Sequence, residues 1–244
     1  MSELPQAQPQ RTRRVAVWNI FLDKEYPQDE RLDGIIDTLQ VQGNFDAIGI
    51  LEAHGNNGER IAKEISGTPG LWLPHSRKNE HIGIFGPNIN STEEIDIGHN
   101  RKAVVARLGD VAVVAVHLRR NKRYIRRGSE QVEQTDALLD HLSDEEKVII
   151  FGDFNSLALQ KPRRMLKKAN YTSAFPRFDF TKDRSFPTKE FPEKLTDRER
   201  RILRLAGGAI NIDDIYTKGL EVIDADSFVG PSDHPGLWAE YIDE

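Results

Sequence analysis

The apolar segments of this chain repeatedly end in a carboxylate, an amide or an imidazole. In "KVIIFGDFNS" (147–156) the β-branched run predicts a buried strand, and Asp153 and Asn155 follow it. Residues two apart in an extended segment point the same way, so these side chains share one face at the strand's end. Gly, Asp, Asn and Ser also form turns, so the stretch alone fits a simple turn about equally well.

Five other apolar segments share this design. They end at, or lead into, polar residues that can bind metal ions or move protons, namely Asn19, Glu52, His117, the pair Asp213 and Asp214, and the pair Asp233 and His234. Each alone is weak evidence, because Asn and Asp end strands routinely and a histidine after valine is more often a core residue. If the ends meet at one edge, the carboxylates would repel one another unless a cation lay among them. Oxygen ligands favour a hard ion, so we predict Mg²⁺ or Mn²⁺ rather than zinc.

The order of the segments indicates the fold class. Strand-like and helix-like segments intermingle without the strict alternation of a parallel barrel, and neither a repeat nor a linker divides the chain. We predict one α/β domain over residues 14–244, with two sheets packed together and helices outside, after a flexible leader at 1–13. "NGERIAKEIS" is predicted to be a short helix closed by Gly67. The stretch 171–193 is predicted to be irregular, and 196–206 to form a helix.

Composition limits the class of protein. The 244 residues are 38% hydrophobic and 30% charged, as in globular proteins with a substantial core. The absence of cysteine excludes disulfides, thiolate metal sites and cysteine nucleophiles. No apolar run approaches the length of a membrane-spanning helix and no secretory signal is evident, so we expect a cytoplasmic protein without stable membrane association. A mature form cut from a longer precursor would look the same.

Positive charge is concentrated in a few runs. The net charge of −5 gives no global attraction to polyanions, but residues 119–127, 161–168 and 198–204 are locally basic. Such runs are usually solvated faces. The first two directly follow His117 and "GDFNS", so they would flank a site at these strand ends and bind phosphates through counterion release. The candidate phosphate-binding residues of the first run are Arg119, Arg120, Lys122 and Arg123, and Tyr124 could stack on a base.

In this order, Asn19, Glu52, His117, "GDFN", "IDDI" and "SDH" resemble the motifs of the endonuclease/exonuclease/phosphatase superfamily. The resemblance runs from about residue 14 to residue 241, and "GDFN" and "SDHPGL" are its specific parts. It implies a four-layer α/β sandwich, with two mixed sheets face to face and helices outside. It also implies cleavage of a phosphoester bond with a divalent metal.

The resemblance implies which residues bind the metal and the phosphate. Glu52 matches the principal metal ligand, Asn19 a residue that helps to place the metal or its water, and Asp233 an outer or second metal contact. His117 matches a histidine that contacts a phosphate oxygen. Arg101 lies where many members have an arginine, and we predict that it binds phosphate.

The remaining matches concern proton transfer. His234 matches the imidazole commonly assigned as general base, and Asp213 the carboxylate that orients it. Asp153 matches a residue that activates water or protonates the leaving oxygen, and Asn155 an amide that orients the phosphate or the nucleophile. The neighbouring Asp214 is a second possible partner, because the isoleucines flanking the acidic pair lie on opposite faces. We expect His234 to be exposed at the sheet edge.

Three functions remain open at this point. A metal-dependent nuclease or phosphodiesterase acting on nucleic acid agrees best with the basic runs. A phosphatase or phosphodiesterase for an inositol phosphate or a phospholipid headgroup would use similar arginines, and the Phe-rich segment 175–191 could serve it at a membrane. A non-catalytic binding module is the third possibility, and the complete set of polar residues argues against it. We expect a monomer, and the sequence identifies no protein partner.

Overall fold

The computed structural model describes residues 11–21, 28–74, 80–120, 129–157, 160–175, 188 and 211–243. The strands within these ranges are β1 (Arg11–Asn19), β2 (Ala47–His54), β3 (Leu71–Pro74), β4 (Glu80–Phe85), β5 (Ser91–Gly98), β6 (Arg101–Leu108), β7 (Val111–His117), β8 (Val148–Asp153), β9 (Thr172–Ser173), β10 (Asp213–Lys218), β11 (Glu221–Phe228) and β12 (Gly236–Asp243). The helices are α1 (Gln28–Val41), α2 (Asn57–Ser66), α3 (Ser129–His141) and α4 (Lys161–Lys168).

The strands form two mixed sheets of six strands each. The first sheet has the order β11-β12-β1-β2-β4-β3, and the second has the order β5-β6-β7-β8-β10-β9. Within each sheet one neighbouring pair is parallel, β1 with β2 and β7 with β8, while the other pairs are antiparallel. Each parallel pair therefore brings two carboxyl ends to one edge of its sheet.

The sheets pack face to face and the helices cover their outer faces. In β1 the alternation places Val15 and Val17 in the core between the sheets, while Trp18 packs toward the side of α1 and α2. Helices α3 and α4 cover the other sheet in the same way. The layers therefore run helix, sheet, sheet, helix, which confirms the predicted four-layer sandwich. No helix in the described ranges has the length and apolarity needed to cross a membrane.

Two predicted boundaries were wrong. Residues 11–13 belong to β1 and pair with β12, so they are not part of a leader, and residues 1–10 lie outside the described ranges. Their arginines gave no apolar pattern, since this part of the strand is specified by pairing with β12. Within the stretch 171–193, predicted to be irregular, Thr172 and Ser173 form the short strand β9, which pairs with β10, and residues 176–187 and 189–193 lie outside the described ranges. The predicted helix 196–206 and the basic run 198–204 lie outside the described ranges.

Candidate active site

Neighbouring strands of the second sheet place three polar side chains next to one another. His117, the last residue of β7, is in register with Asp153, the last residue of β8. Asp153 is also in register with Asp213, the first residue of β10. Residues in register project to the same face. Here that face is the inner one, because Phe151 and Ile215, each two residues away along its strand, lie in the core between the sheets.

The first sheet supplies the opposite wall of the same site. Asn19 ends β1, and its side-chain Nδ2 lies 3.2 Å from Glu52 Oε1 and 3.4 Å from Asp153 Oδ2. His117 Nε2 lies 3.5 Å from Glu52 Oε1 and 3.6 Å from Asp153 Oδ2. The two sheets therefore meet at this edge through polar groups, and Asn19, His117 and Asp153 are buried there.

Glu52 reaches the site through an irregularity in β2. Leu51 faces the core between the sheets, so a regular strand would turn Glu52 toward the helices. Instead, the pairing of β2 with β4 shifts between Ile50 and Ala53, and Glu52 has a left-handed backbone with φ of 58°. Such a conformation is costly for a residue with a side chain and is often found at functional sites. It turns the carboxylate inward, toward Asn19 and His117.

The "GDFN" segment combines a tight turn with the site, so the two interpretations of the sequence do not compete. Gly152 lies against β7, where a Cβ would be 1.9 Å from the Val116 carbonyl oxygen. Asn155 has a left-handed backbone with φ of 46°, and its N–H donates to Asp153 Oδ1 at 2.7 Å. Its side-chain Nδ2 donates to the Leu118 carbonyl at 2.9 Å. The turn thus holds Asp153 and Asn155 in fixed orientations.

His234 and Asp213 form a hydrogen-bonded pair. His234 Nδ1 lies 2.7 Å from Asp213 Oδ2, and Nε2 is the ring nitrogen that does not take part in this bond. The expectation that His234 is exposed was wrong, since only 5% of the residue is accessible. The backbone carbonyl of His234 accepts a hydrogen bond from Trp18 Nε1 at 2.9 Å, which connects the segment before β12 to β1. Burial by itself lowers the pKa of His234, but the charge and hydrogen bond of Asp213 outweigh burial and raise it to about 10.

Asp214 has other partners. It forms a buried ion pair with Arg163 of α4, and its Oδ1 accepts a hydrogen bond from Ser173 Oγ at 2.7 Å. The register explains the difference, because Asp213 is opposite Asp153 whereas Asp214 is opposite Gly152, one residue out of phase. The structure therefore places Asp213 beside His234 and Asp214 on the side of α4.

The clustered carboxylates are poorly solvated. Burial raises the pKa of Glu52 to about 7, and burial together with the charge of Asp213 raises the pKa of Asp153 to about 7. Burial also raises the pKa of Asp233, whose Oδ1 is buried without a hydrogen-bond partner. Such an oxygen fits a cation as its missing partner, so the predicted set of Asn19, Glu52 and Asp233 suits Mg²⁺ or Mn²⁺.

A second group of possible metal ligands lies beside this set, with Asp153 Oδ2 3.4 Å from Asn19 Nδ2. Asp153, Asp213 and His234 each offer a ligand atom, and these atoms lie within 4.8 Å of one another. Because His234 Nδ1 already bonds Asp213, this group is compact even without an ion.

The candidate phosphate-binding residues differ in their surroundings. Arg101, at the start of β6, is buried, and its Nε and Nη1 have no hydrogen-bond partner. Burial lowers its pKa to about 10, against the charges of nearby acids that include Glu52. Arg119 and Arg120 are exposed, and Arg119 pairs with Glu130 at 3.2 Å. Lys122, Arg123 and Tyr124 lie outside the described ranges.

Several residues near the site were not predicted. Glu80 begins β4, is buried, and its charge raises the pKa of Glu52. The sequence signal for Glu80 was a polar residue at the start of an apolar strand. Because β4 runs antiparallel to β2, β4 begins at the sheet edge where β1 and β2 end. Gln131 of α3 donates to the Asn155 carbonyl at 2.6 Å. Arg163, in the second basic run, is a buried structural cation rather than a phosphate-binding surface residue.

Comparison with solved structures shows the same fold in proteins of low identity. A conserved protein of unknown function from Enterococcus faecalis V583 is 19% identical with a TM-score of 0.70, covering 95% of this chain and all (100%) of that one. TDP2 from D. rerio, complexed with a single-strand DNA product, is 15% identical with a TM-score of 0.71, covering 94% and 98%. A mannosyl-6-phosphatase from Bacteroides thetaiotaomicron VPI-5482 is 16% identical with a TM-score of 0.67, covering 94% and 99%.

Sequence comparison identifies the family. No curated protein has a significant match to the chain. Residues 16–234 match the profile of the Endonuclease/Exonuclease/phosphatase family. This range includes every strand end that contributes to the site. The chain therefore belongs to the endonuclease/exonuclease/phosphatase family.

Proposed function

We propose that the protein is a divalent-metal-dependent phosphodiesterase that hydrolyses phosphodiester bonds in nucleic acid. The observation that carries the proposal is the buried cluster in which Glu52, Asp153 and the His234–Asp213 pair converge from both sheets. Members of the family are phosphoesterases, and this cluster has the groups that such a reaction needs. The metal, the substrate and the role of each residue are parts of the proposal.

Asn19, Glu52 and Asp233 would hold the ion, with Mg²⁺ or Mn²⁺ as the candidates. When bound, the ion would polarise a phosphoryl oxygen, offset the charge that develops on it and lower the proton affinity of nearby groups. Glu52 is suited to this role because its carboxylate is turned inward and is poorly solvated. Asn19 fixes the orientation of that carboxylate through its amide.

His234 would accept the proton of the attacking water at Nε2 in its neutral form, which the positive charge of a bound ion would favour over the protonated form seen without it. Asp213 would hold the opposite nitrogen, fix the tautomer and stabilise the imidazolium that forms. In-line attack also needs a proton donor on the leaving side, and Asp153, with its pKa raised to about 7, can protonate the leaving oxygen or hold water. Asn155 and His117 would orient the phosphate. No covalent nucleophile is required.

Positive charge beside the cluster supports a nucleic-acid substrate. Arg101 has buried N–H groups without a partner, and such groups suit a phosphate oxygen. Arg119 and Arg120 extend from the end of β7 on the exposed side. The fold is also that of TDP2 from D. rerio, which was solved with a single-strand DNA product.

The second candidate is a phosphatase or phosphodiesterase for a small phosphorylated molecule, such as an inositol phosphate or a phospholipid headgroup. The ion pair of Arg119 with Glu130 favours it, because that arginine is already partly neutralised. A mannosyl-6-phosphatase with the same fold is consistent with it as well.

A substrate panel separates these functions. We expect Mg²⁺-dependent cleavage of single-stranded, duplex or abasic DNA, or of RNA, with bis(p-nitrophenyl) phosphate hydrolysed faster than p-nitrophenyl phosphate. A preference for p-nitrophenyl phosphate and inositol phosphates would support the second candidate. The absence of hydrolysis on every substrate with Mg²⁺ or Mn²⁺ would contradict both and leave the binding module.

A further inference from the structure

Arg31 of α1 joins two backbone segments that carry site residues. Its Nε donates to the Pro231 carbonyl at 2.6 Å, and its Nη2 donates to the Ile20 carbonyl at 2.8 Å. Ile20 directly follows Asn19, and Pro231 lies two residues before Asp233. One planar guanidinium therefore sets the distance between the end of β1 and the loop that bears Asp233 and His234.

Two hydroxyl groups among the described residues also anchor this loop. Ser232 Oγ donates to the Asn19 carbonyl at 2.6 Å, and the His234 N–H lies 3.2 Å from the same hydroxyl. Thr188 holds the far side of the loop, because its Oγ1 donates to the Ser232 carbonyl at 2.6 Å and its N–H to the Asp233 carbonyl at 2.8 Å. Arg31 is the anchor that adds a positive charge, and only 7% of it is exposed.

Helix α1 also packs closely against the loop, since a Cβ on Gly34 would lie 3.2 Å from the Pro231 ring. Loss of the guanidinium would leave two carbonyls without this donor and would untie the loop from the end of β1.

We infer that Arg31 is a positioning residue for the cation site, which holds the loop bearing Asp233 at the correct distance from Asn19. Arg31 does not itself touch the ion or the substrate in this account. The inference rests on the metal site of the proposed function, but it is tested by metal binding and does not require turnover.

The test measures the affinity for Mn²⁺ alone in folded protein, by electron paramagnetic resonance of the free ion. Arg31→Met is expected to raise the Kd about tenfold or more, as is typical when a residue supporting a metal ligand is removed. Arg31→Lys, which keeps the charge but not the planar fork, is expected to lie between Arg31→Met and the wild type. The control is Arg60→Met, because Arg60 pairs with Asp33 and Glu64 on the surface of α2. Its Kd should be unchanged.

Stability and positioning are separated within the same experiment. If Arg31→Met melts at a lower temperature but binds Mn²⁺ with the wild-type Kd where it is folded, the inference is overturned. If that variant fails to fold, Arg31→Lys decides, and a wild-type Kd for it also overturns the inference. Wild-type protein that binds Mn²⁺ without hydrolysing any phosphoester, alongside weakened binding in Arg31→Met, would uphold the inference and refute the proposed function. No Mn²⁺ binding by the wild type would refute both.

Discussion

At the scale of single residues, neighbouring side chains of the same type acquire different partners from their positions in the backbone. Asp213 and Asp214 are adjacent and chemically identical, yet one bonds His234 and the other pairs with Arg163. The alternation of a β-strand produces this separation, because successive residues face opposite sides of the sheet. The two carboxylates should therefore respond differently to the same substitution.

Asp213→Asn should lower kcat on the order of a thousandfold, because the imidazole loses the carboxylate that fixes its tautomer. Combining it with His234→Ala should be little worse than His234→Ala alone, since the two residues act as a unit.

Asp214→Asn should leave kcat within a few-fold of wild type. It should instead destabilise the fold by about 3 kcal/mol, because Arg163 stays buried with a weakened partner.

Steady-state kinetics with bis(p-nitrophenyl) phosphate and urea unfolding supply these values. A crippling loss of kcat in Asp214→Asn, or simple addition of the losses at His234 and Asp213, would contradict the assignment of the pair.

At the scale of strands and helices, patterns contained within one segment were sufficient for prediction. Helix α2 occupies 57–66 as its amphipathic pattern predicted, and Gly67 ends it with a left-handed backbone at φ of 71°. Strand β8 runs from 148 to 153, close to its apolar run. Such elements are determined by their own periodicity and caps, so one sequence is enough to locate them.

Features that depend on distant parts of the chain were missed. The inward turn of Glu52 arises from a register shift against β4, which no pattern inside β2 reveals. The backbone carbonyl of His234 accepts a hydrogen bond from Trp18, 216 residues away in sequence. Glu80 reaches the site because β4 runs antiparallel to β2. The residues that end strands could thus be predicted, but the contacts that orient them needed the assembled sheets.

Gly152 tests the close approach of β7 and β8. Gly152→Ala should destabilise the protein by about 3 kcal/mol or more, because its Cβ would lie 1.9 Å from the Val116 carbonyl oxygen at a φ of 146°. Gly55→Ala is the matched control, since it has a φ of 55° but nothing within 4 Å of the added Cβ. It should cost only about 1 kcal/mol. Equal losses in urea unfolding would show that backbone strain alone, without the contact to β7, limits this position.

The loop after β7 tests the role of the first basic run in binding. Replacing Arg119, Arg120, Lys122 and Arg123 with Ser should raise KM for a polynucleotide and flatten its dependence on salt, by about one unit of slope per lost phosphate contact. Turnover of bis(p-nitrophenyl) phosphate should hardly change. Lys102→Ser is the control, because Lys102 of β6 pairs with Glu94 of the neighbouring strand β5. If both substrates respond equally, the run is structural or catalytic rather than a phosphate-binding tract.

At the scale of the whole molecule, the buried ionisable groups of the site make the free energy of unfolding depend on pH. Folding raises the pKa of Glu52 from 4.5 and of Asp153 from 3.8 to about 7, and that of His234 from 6.5 to about 10. At all three groups the folded protein binds protons more tightly than the unfolded chain. Their contribution therefore favours folding at low pH and is lost as pH rises through each folded-state pKa.

Melting temperatures should reflect this sign. In EDTA the protein should melt at a higher temperature near pH 6 than near pH 8.5. Added Mg²⁺ should stabilise it more at pH 8.5, where protons no longer compete for the carboxylates. Fluorescence-monitored melting across this range provides the test. A melting temperature in EDTA that rises from pH 6 to pH 8.5 would show that other groups outweigh the site.

The most direct test of the account compares wild type and Glu52→Gln in the hydrolysis of bis(p-nitrophenyl) phosphate as a function of Mg²⁺ concentration. EDTA should abolish wild-type turnover, Mg²⁺ should restore it, and Glu52→Gln should remain inactive at low Mg²⁺. The metal-free variant should also melt a few degrees above the wild type, because a poorly solvated carboxylate has been neutralised. Near-wild-type turnover of Glu52→Gln at low Mg²⁺ would contradict the assignment of this buried cluster as a metal-dependent phosphoesterase site.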